Sequence, residues 1–430
     1  MTCLFSCPQC GLSYPISETR YRCDCGEPLD IIYEGKPAST NISRELFDAR
    51  LGERGLPYSS GVWRYHELLP PIDAAHIISR PEGNTNLYAV GASERGGHSR
   101  IGQYAGLERL YLKHEGENPT GSFKDRGMTV GVSQAAALGA SAVACASTGN
   151  TSASLASYAA QANIPCFVFV PEGNVAWGKL AQTLAYGAIT LQIRGDFDRA
   201  MQLVQDTCAE MGVYLVNSVN PFRIEGQKTI ALELLQQLDW QPPDWIVLPA
   251  GNLGNTAALG KALLQARAVG LIEKLPRIAC VQASGANPFY QSFRAGFAQR
   301  FNVAASTVAT AIKIGAPVSY ERARRAIVAA GGPVAEVSDE AILEAKAVID
   351  RAGIGCEPAS AASLAGVRQL AQAGVIEPAH SVAAILTGNL LKDADTTLDY
   401  HTKAHATHSN RPIAIDATLD DVRHALMRYV

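Results

Sequence analysis

No stretch of this sequence stays apolar for the roughly 20 residues that a helix needs to cross a bilayer, so no membrane-spanning helix is expected. Positive charge is not in excess either. Lys and Arg number 37 against 40 Asp and Glu, a formal charge of −3. That balance gives nucleic acid or an anionic membrane no electrostatic hold. The opening Met1-Thr2-Cys3-Leu4-Phe5-Ser6-Cys7 lacks both a basic start and a long apolar stretch, so it does not read as a signal peptide, and a cytoplasmic protein is expected. Internal repeats and low-complexity tracts are missing too, which argues against a solenoid or an array.

What the sequence does have is length and an ordinary globular balance. Its 430 residues, 47% apolar and 18% charged, are too many for one compact core, so two domains and a small appendage are expected. Of the 10 cysteines, Cys3, Cys7, Cys10, Cys23 and Cys25 crowd the first 25 residues. Cys145, Cys166, Cys208, Cys280 and Cys356 sit among apolar or small neighbours, as reduced core thiols do. In a chain that is not secreted, the crowded set suggests metal rather than disulfides. Residues 1–35 read as a short, loop-like piece running into the linker-like Gly35-Lys36-Pro37-Ala38-Ser39. From about residue 107 onward, short aliphatic runs alternate with longer Ala/Leu-rich ones. Strands are predicted over 142–145, 165–170, 189–193, 213–216, 245–249, 278–281 and 381–387. Helices are predicted over 154–162, 177–186, 196–211, 225–238 and 255–269. The alternation implies an α/β class with parallel sheets covered on both faces, and ligand loops beyond the carboxyl ends of the strands.

Three loops carry chemistry. In Pro119-Thr120-Gly121-Ser122-Phe123-Lys124-Asp125, a turn precedes a helix that Ser122 is placed to cap, with Asp125 at capping-box spacing. Lys124 then falls in the first helical turn, where the dipole disfavours an ammonium and lowers the pKa, as a nucleophile and base requires. Locally, a solvated lysine on a surface helix reads equally well. Next, Ser147-Thr148-Gly149-Asn150-Thr151-Ser152-Ala153-Ser154 joins a strand to an Ala-rich helix. Its hydroxyls and backbone N–H groups suit an anion such as a carboxylate, beyond what a plain helix cap needs. Finally, Pro249-Ala250-Gly251-Asn252-Leu253-Gly254-Asn255 lets the backbone close around a phosphate. It is neither a Walker loop nor a dinucleotide fingerprint, so a monophosphate fits better than a nucleotide, with a plain strand-to-helix turn as the competing reading.

Together, residues 119–127, 147–154, 251–255 and 386–393 resemble segments of the fold-type II pyridoxal phosphate (PLP) enzymes, and among these the threonine synthase family. Gly61-Val62-Trp63-Arg64-Tyr65, Glu82-Gly83-Asn84-Thr85 and residues 217–229, 309–317 and 356–361 fit the same pattern, so the resemblance runs in order from about 55 to 393. Asn86 stands where that family usually has Pro, and Asn389-Leu390 where it usually has His-Gly.

The resemblance implies an α/β, two-domain fold-type II enzyme with parallel sheets flanked by helices. Its parts would be a large PLP-binding domain (36–109 and 223–430), a small mobile domain (110–222) and a zinc-ribbon-like extension (1–35). It makes Lys124 the Schiff-base lysine, Asn150 the partner of the cofactor ring hydroxyl, and Gly251, Asn252, Leu253, Gly254 and Asn255 the cofactor phosphate cup. Thr387 becomes the hydroxyl facing the pyridine nitrogen. Ser147, Thr148 and Thr151 would bind the substrate carboxylate, and Asn217, Ser218 and Arg223 the substrate phosphate. The implied activity is that of a lyase making L-threonine and phosphate from O-phospho-L-homoserine and water. The expected partner is that small molecule, neither nucleic acid nor membrane, and a homodimer is left open.

Cys7-Pro8-Gln9-Cys10-Gly11 and Cys23-Asp24-Cys25-Gly26 look like two zinc-ribbon knuckles, the second narrower than usual. Structural zinc on Cys7, Cys10, Cys23 and Cys25 and a metal-free remnant are both open. Rival functions are a cysteate synthase acting on O-phosphoserine, a threonine or serine dehydratase, and a zinc-ribbon protein that binds nucleic acid. The last would need a basic face.

Overall fold

The computed structural model describes residues 2–35, 42–172, 177–194, 197–402 and 406–428. The linker-like residues 36–39, and Asp196 at the start of a predicted helix, lie outside the described residues. The first 35 residues are more ordered than a loop-like piece. Strands β1 (Thr2–Ser6), β2 (Ser13–Pro15) and β3 (Asp30–Glu34) form a three-stranded antiparallel sheet in the order β2-β1-β3. Its strands are short and interrupted by the cysteine knuckles, which is why period-two alternation does not announce them.

The remaining strands are β4 (Leu87–Ala89), β5 (Arg109–His114), β6 (Val143–Ala146), β7 (Cys166–Pro171), β8 (Ile189–Ile193), β9 (Tyr214–Leu215), β10 (Trp245–Pro249), β11 (Arg277–Ala283), β12 (Val334–Val337) and β13 (Ser381–Leu386). They make a six-stranded sheet, β12-β11-β10-β13-β5-β4, and a four-stranded one, β8-β7-β6-β9. All pairings are parallel except that of β4 at the edge of the larger sheet. The central β10 and β6 are buried at every position, as strands covered on both faces must be. No helix among the described residues is long and apolar enough to cross a membrane.

All seven predicted strands are present within a residue or two of their expected ends. Three others escape the pattern. β4 has three residues and β12 has four, too few for a periodicity. β5 reads as polar because it ends in Lys113 and His114, both buried. Lys113 is satisfied inside the protein, donating to Glu233 at 2.6 Å and to Thr85 O and Gln237 at 2.7 Å. β5 pairs with β13 in the larger sheet, so the boundary expected at 109/110 puts a strand of the large unit into the small one. The smaller sheet itself spans Val143 to Leu215. The helix predicted over 225–238 is two, Pro221–Gln227 and Thr229–Gln237, meeting at Lys228.

The extension is fastened to the large unit by buried charge. Glu225 accepts from Lys228, Lys261 and Tyr33, the last on β3. Lys261 also donates to Asp30 on the same strand at 2.7 Å. Glu225 and Lys228 are fully buried. Burial pushes the Lys228 ammonium down to about 8 even with Glu225 beside it. Phe5 adds an edge-on contact with Phe222, centroids 5.9 Å apart. Stripping the counter-charge from a buried ammonium costs about 3–5 kcal/mol. Glu225→Ala is therefore expected to lower the denaturant midpoint followed by circular dichroism, by far more than an exposed Glu18→Ala control.

Candidate active site

A cavity of about 1180 Å³ opens beyond the carboxyl ends of β5, β6, β9, β10 and β13, where ligands sit in open α/β sheets. Every residue expected to touch cofactor or substrate lines it: Lys124, the loop residues Ser147, Thr148, Asn150 and Thr151, the stretch Gly251 to Asn255, Thr387, and Asn217, Ser218 and Arg223.

Lys124 is the first residue of the helix Lys124–Ala137. It lies deep in the protein and keeps partial exposure at the cavity. Burial lowers its pKa to about 7, Arg223 adds to the effect, and Glu357 opposes it. The ammonium stands 4.0 Å from the centroid of the Phe123 ring. The predicted cap is different in kind. Ser122 does not cap the helix; it forms a β-bridge with Gly388, and its hydroxyl has no partner among the described residues. Asp125 instead folds back onto the preceding turn, accepting from Thr120 N at 2.7 Å and Thr120 Oγ1 at 2.6 Å, and from Ser154 at 2.5 Å. Burial raises its carboxyl to about 6. The turn before Lys124 is thus tied to the end of β13, where Phe123 N donates to Thr387 O at 3.0 Å, and to the helix that follows β6.

Further along the same turn, Arg126 is fully buried between Glu115, both contacts at 2.7 Å, and Glu233 at 2.8 Å. One crossing fixes this helix against Pro221–Gln227. A Cβ on Gly226 would lie 1.8 Å from Arg126 O, so only glycine permits the approach. That crossing brings Arg223 to the cavity, 2% exposed, with Nη1 donating to Val216 O at 3.3 Å and Nε without a partner among the described residues. Burial lowers its pKa to about 10. Glu225, two residues on, is engaged by the two lysines rather than by Arg223.

Asn217 has a second duty. Its side chain pairs with β6 like a piece of strand, accepting from Ala146 N and donating to Ala146 O, both at 3.0 Å. One amide hydrogen is left for a ligand. Ser218 accepts from Asn252 Nδ2 at 3.1 Å, which links the loop after β9 to the glycine loop after β10. In that glycine loop Leu253 has φ +64, and the helix Gly254–Ala268 starts at the next residue. A Cβ on Gly251 would come within 2.9 Å of Ile312 Cα. The amide oxygen and nitrogen of Asn255, 7% exposed, both lack partners among the described residues. Buried, unpaired polar atoms at a helix N-terminus, in a loop without room for a further side chain, fit a bound phosphate group.

Glu357 was not foreseen as a site residue. Buried at 4% exposure, it accepts from Asn150 at 3.0 Å and from Thr387 Oγ1 at 3.2 Å, and burial raises its pKa. Ser360 Oγ contacts Thr387 Oγ1 at 3.0 Å. The two residues expected against the cofactor ring therefore meet at one carboxyl group. Its only trace in the sequence is Glu357-Pro358 opening a helix within 356–361. Asn389, in place of the usual His, accepts from Leu391 N at 3.0 Å and lines the cavity.

The Sγ atoms of Cys7, Cys10, Cys23 and Cys25 all lie within 4.8 Å of one another. Four thiolates around a tetrahedral zinc, each about 2.3 Å from it, need such a cluster. None of the 10 cysteines is in a disulfide.

A family model described as pyridoxal-phosphate dependent enzyme matches residues 78–388. The chain is 43% identical over 422 residues to the threonine synthase of Methanocaldococcus jannaschii, covering 98% of each chain. It is 44% identical over 423 residues to that of Methanosarcina acetivorans, again over 98% of each. In fold it is similar to threonine deaminase isoform 2 from Solanum lycopersicum, with a TM-score of 0.62 over 82% of this chain and 92% of that one, at 19% identity. These likenesses show the family: the chain belongs to the pyridoxal-phosphate dependent enzymes and, within them, to the threonine synthases.

Proposed function

We propose that the protein converts O-phospho-L-homoserine and water into L-threonine and phosphate, with Lys124 moving the protons. The observation that carries this reading is the spacing of roles in one cavity. An amine of lowered pKa shares the cavity with a hydroxyl-rich helix start and a buried guanidinium whose Nε lacks a partner among the described residues. Gly251, Asn252, Leu253, Gly254 and Asn255 would hold the cofactor phosphate, and Asn150 and Thr387 its ring. When bound, PLP supplies an electron sink for the bonds around Cα. Ser147, Thr148 and Thr151, with the N–H groups that open the helix Asn150–Ala162, orient the substrate carboxylate. Lys124, neutral at working pH, takes the proton from Cα and serves again at Cβ. Arg223 and Ser218, with the spare amide hydrogen of Asn217, hold the phosphate as the Cγ–O bond breaks, and the fixed donors favour the departing charge. The two protons taken from Cα and Cβ are given back to Cγ, which ends as the methyl group, and to Cα, while hydroxide from water joins Cβ and the proton of that water leaves with the phosphate. The free thiols fit a reducing compartment, in keeping with a cytoplasmic location.

Incubation with O-phosphohomoserine alone should release phosphate and threonine, whereas O-phosphoserine plus sulfite should give no cysteate. The reverse result would identify the rival synthase. Lys124→Ala is expected to lose the visible cofactor band and to slow turnover by about a thousandfold or more. The sign of the Lys124 shift also makes a prediction for the apoprotein. Only the neutral amine attacks an aldehyde, and its folded pKa lies near 7 rather than at the ordinary 10.5. The rate at which colour appears after PLP is added should rise through about pH 7 and level off by about pH 8–9. A rate still climbing toward pH 10 would contradict the lowered pKa. For the cysteine cluster, metal analysis should find about one zinc per chain, lost in Cys7→Ser.

A further inference from the structure

Arg22 belongs to the extension, yet it lines the same cavity as Lys124, Ser218 and Arg223. It directly precedes Cys23, one of the clustered thiols. Its backbone is held on both sides. Arg22 bridges to Pro28, Leu29 N donates to Tyr21 O at 3.0 Å, and Cys23 N donates to Glu27 O at 2.9 Å. Tyr21 docks this unit on the small sheet. Its hydroxyl accepts from Leu215 N at 2.8 Å, and its ring meets Tyr214 edge-on, centroids 5.8 Å apart. Tyr21 also packs, as Val318 does, against the cluster that includes Val219. Those neighbours flank the end of the cavity where the chain leaves β9 for Ser218 and where Val318 N donates to Asn252 at 2.9 Å. The Arg22 side chain is exposed, and among the described residues it makes no ion pair; its one hydrogen bond runs to Gly26 O at 2.7 Å.

We propose that Arg22 is a further substrate-binding residue, one that grips the phosphate group of the substrate from the mouth of the cavity. This rests on the reading of the substrate as a phosphate ester. A guanidinium with most of its donors free suits a phosphate better than it suits the carboxylate end, which the hydroxyl loop after β6 already serves. The cysteine cluster thereby gains a purpose at a distance: it holds in place the turn that presents Arg22.

The test compares the holoenzyme with Arg22→Ala and Arg22→Lys. A charge-assisted contact to phosphate should be visible as a rise of about tenfold or more in KM for O-phosphohomoserine, with kcat much less changed. Inhibition by inorganic phosphate should weaken by a similar factor, inhibition by L-threonine should stay as it was, and Arg22→Lys should fall between. KM and phosphate inhibition both within about twofold of the parent would overturn the proposal. Equal weakening of phosphate and of L-threonine would do so as well, since it would mean a general disturbance of the site. Arg22→Lys keeps the charge and the exposed setting, so it decides the question even if Arg22→Ala is unstable. If the parent enzyme does not use O-phosphohomoserine at all, the substrate reading fails separately. Calorimetric titration of both variants with inorganic phosphate then still tests Arg22.

Discussion

The geometry of the site is referred to one buried guanidinium. Arg126 is fully buried and is balanced by Glu115 and Glu233. Burial by itself would raise the Glu233 carboxyl; Arg126 and Lys113 overcome that and hold it well below the usual carboxylate range. Charges taken out of water tolerate few arrangements, because each lost contact leaves an unpaid desolvation. The cluster therefore fixes the end of β5, the helix Thr229–Gln237 and the first turn of the helix Lys124–Ala137 as one rigid corner. Lys124 lies two residues before Arg126 and inherits that rigidity, while its own amine makes no ion pair among the described residues.

A second buried cluster, centred on Glu225, works two residues beyond Arg223 on the same helix. It draws on β3 of the extension, on the helix Pro221–Gln227 and on Lys261 of the helix Gly254–Ala268. The extension is for this reason part of the wall and not a tethered appendage. Its charge partners lie on the helix that starts in the glycine loop after β10 and at the end of the helix that carries Arg223.

Much of this was legible in the sequence. Most of the seven strands that alternate with Ala/Leu-rich helices are buried along their length, so their apolar runs stand out, and the more exposed edge strand β8 is still marked by Ile189, Leu191 and Ile193. The site loops are legible for a related reason, since strand-to-helix turns rich in glycine and hydroxyls have few structural uses at such density. What stayed hidden depends on contacts distant along the chain. β5 carries a lysine that Glu233, Gln237 and Thr85 O, all distant along the chain, make tolerable inside a sheet. Ser122 looks like a helix cap until Gly388 takes its backbone, and Asp125 then spends its carboxylate on Thr120 and Ser154. Glu357 shows no periodicity and no motif of its own; its importance comes from Asn150, at the start of the helix after β6, and Thr387, just past β13, which both reach it.

The contact between Gly226 and the Arg126 carbonyl has a consequence for selectivity. Two helices that touch backbone to backbone have no side chain between them to yield, so their separation behaves as a hard stop. One carries the amine and the other the guanidinium, and the gap between these groups is thereby a fixed gauge. On the roles proposed above, it would measure how many carbons lie between the amino-acid head of a substrate and its leaving group, rejecting a homologue one methylene shorter without needing any residue to recognise that methylene.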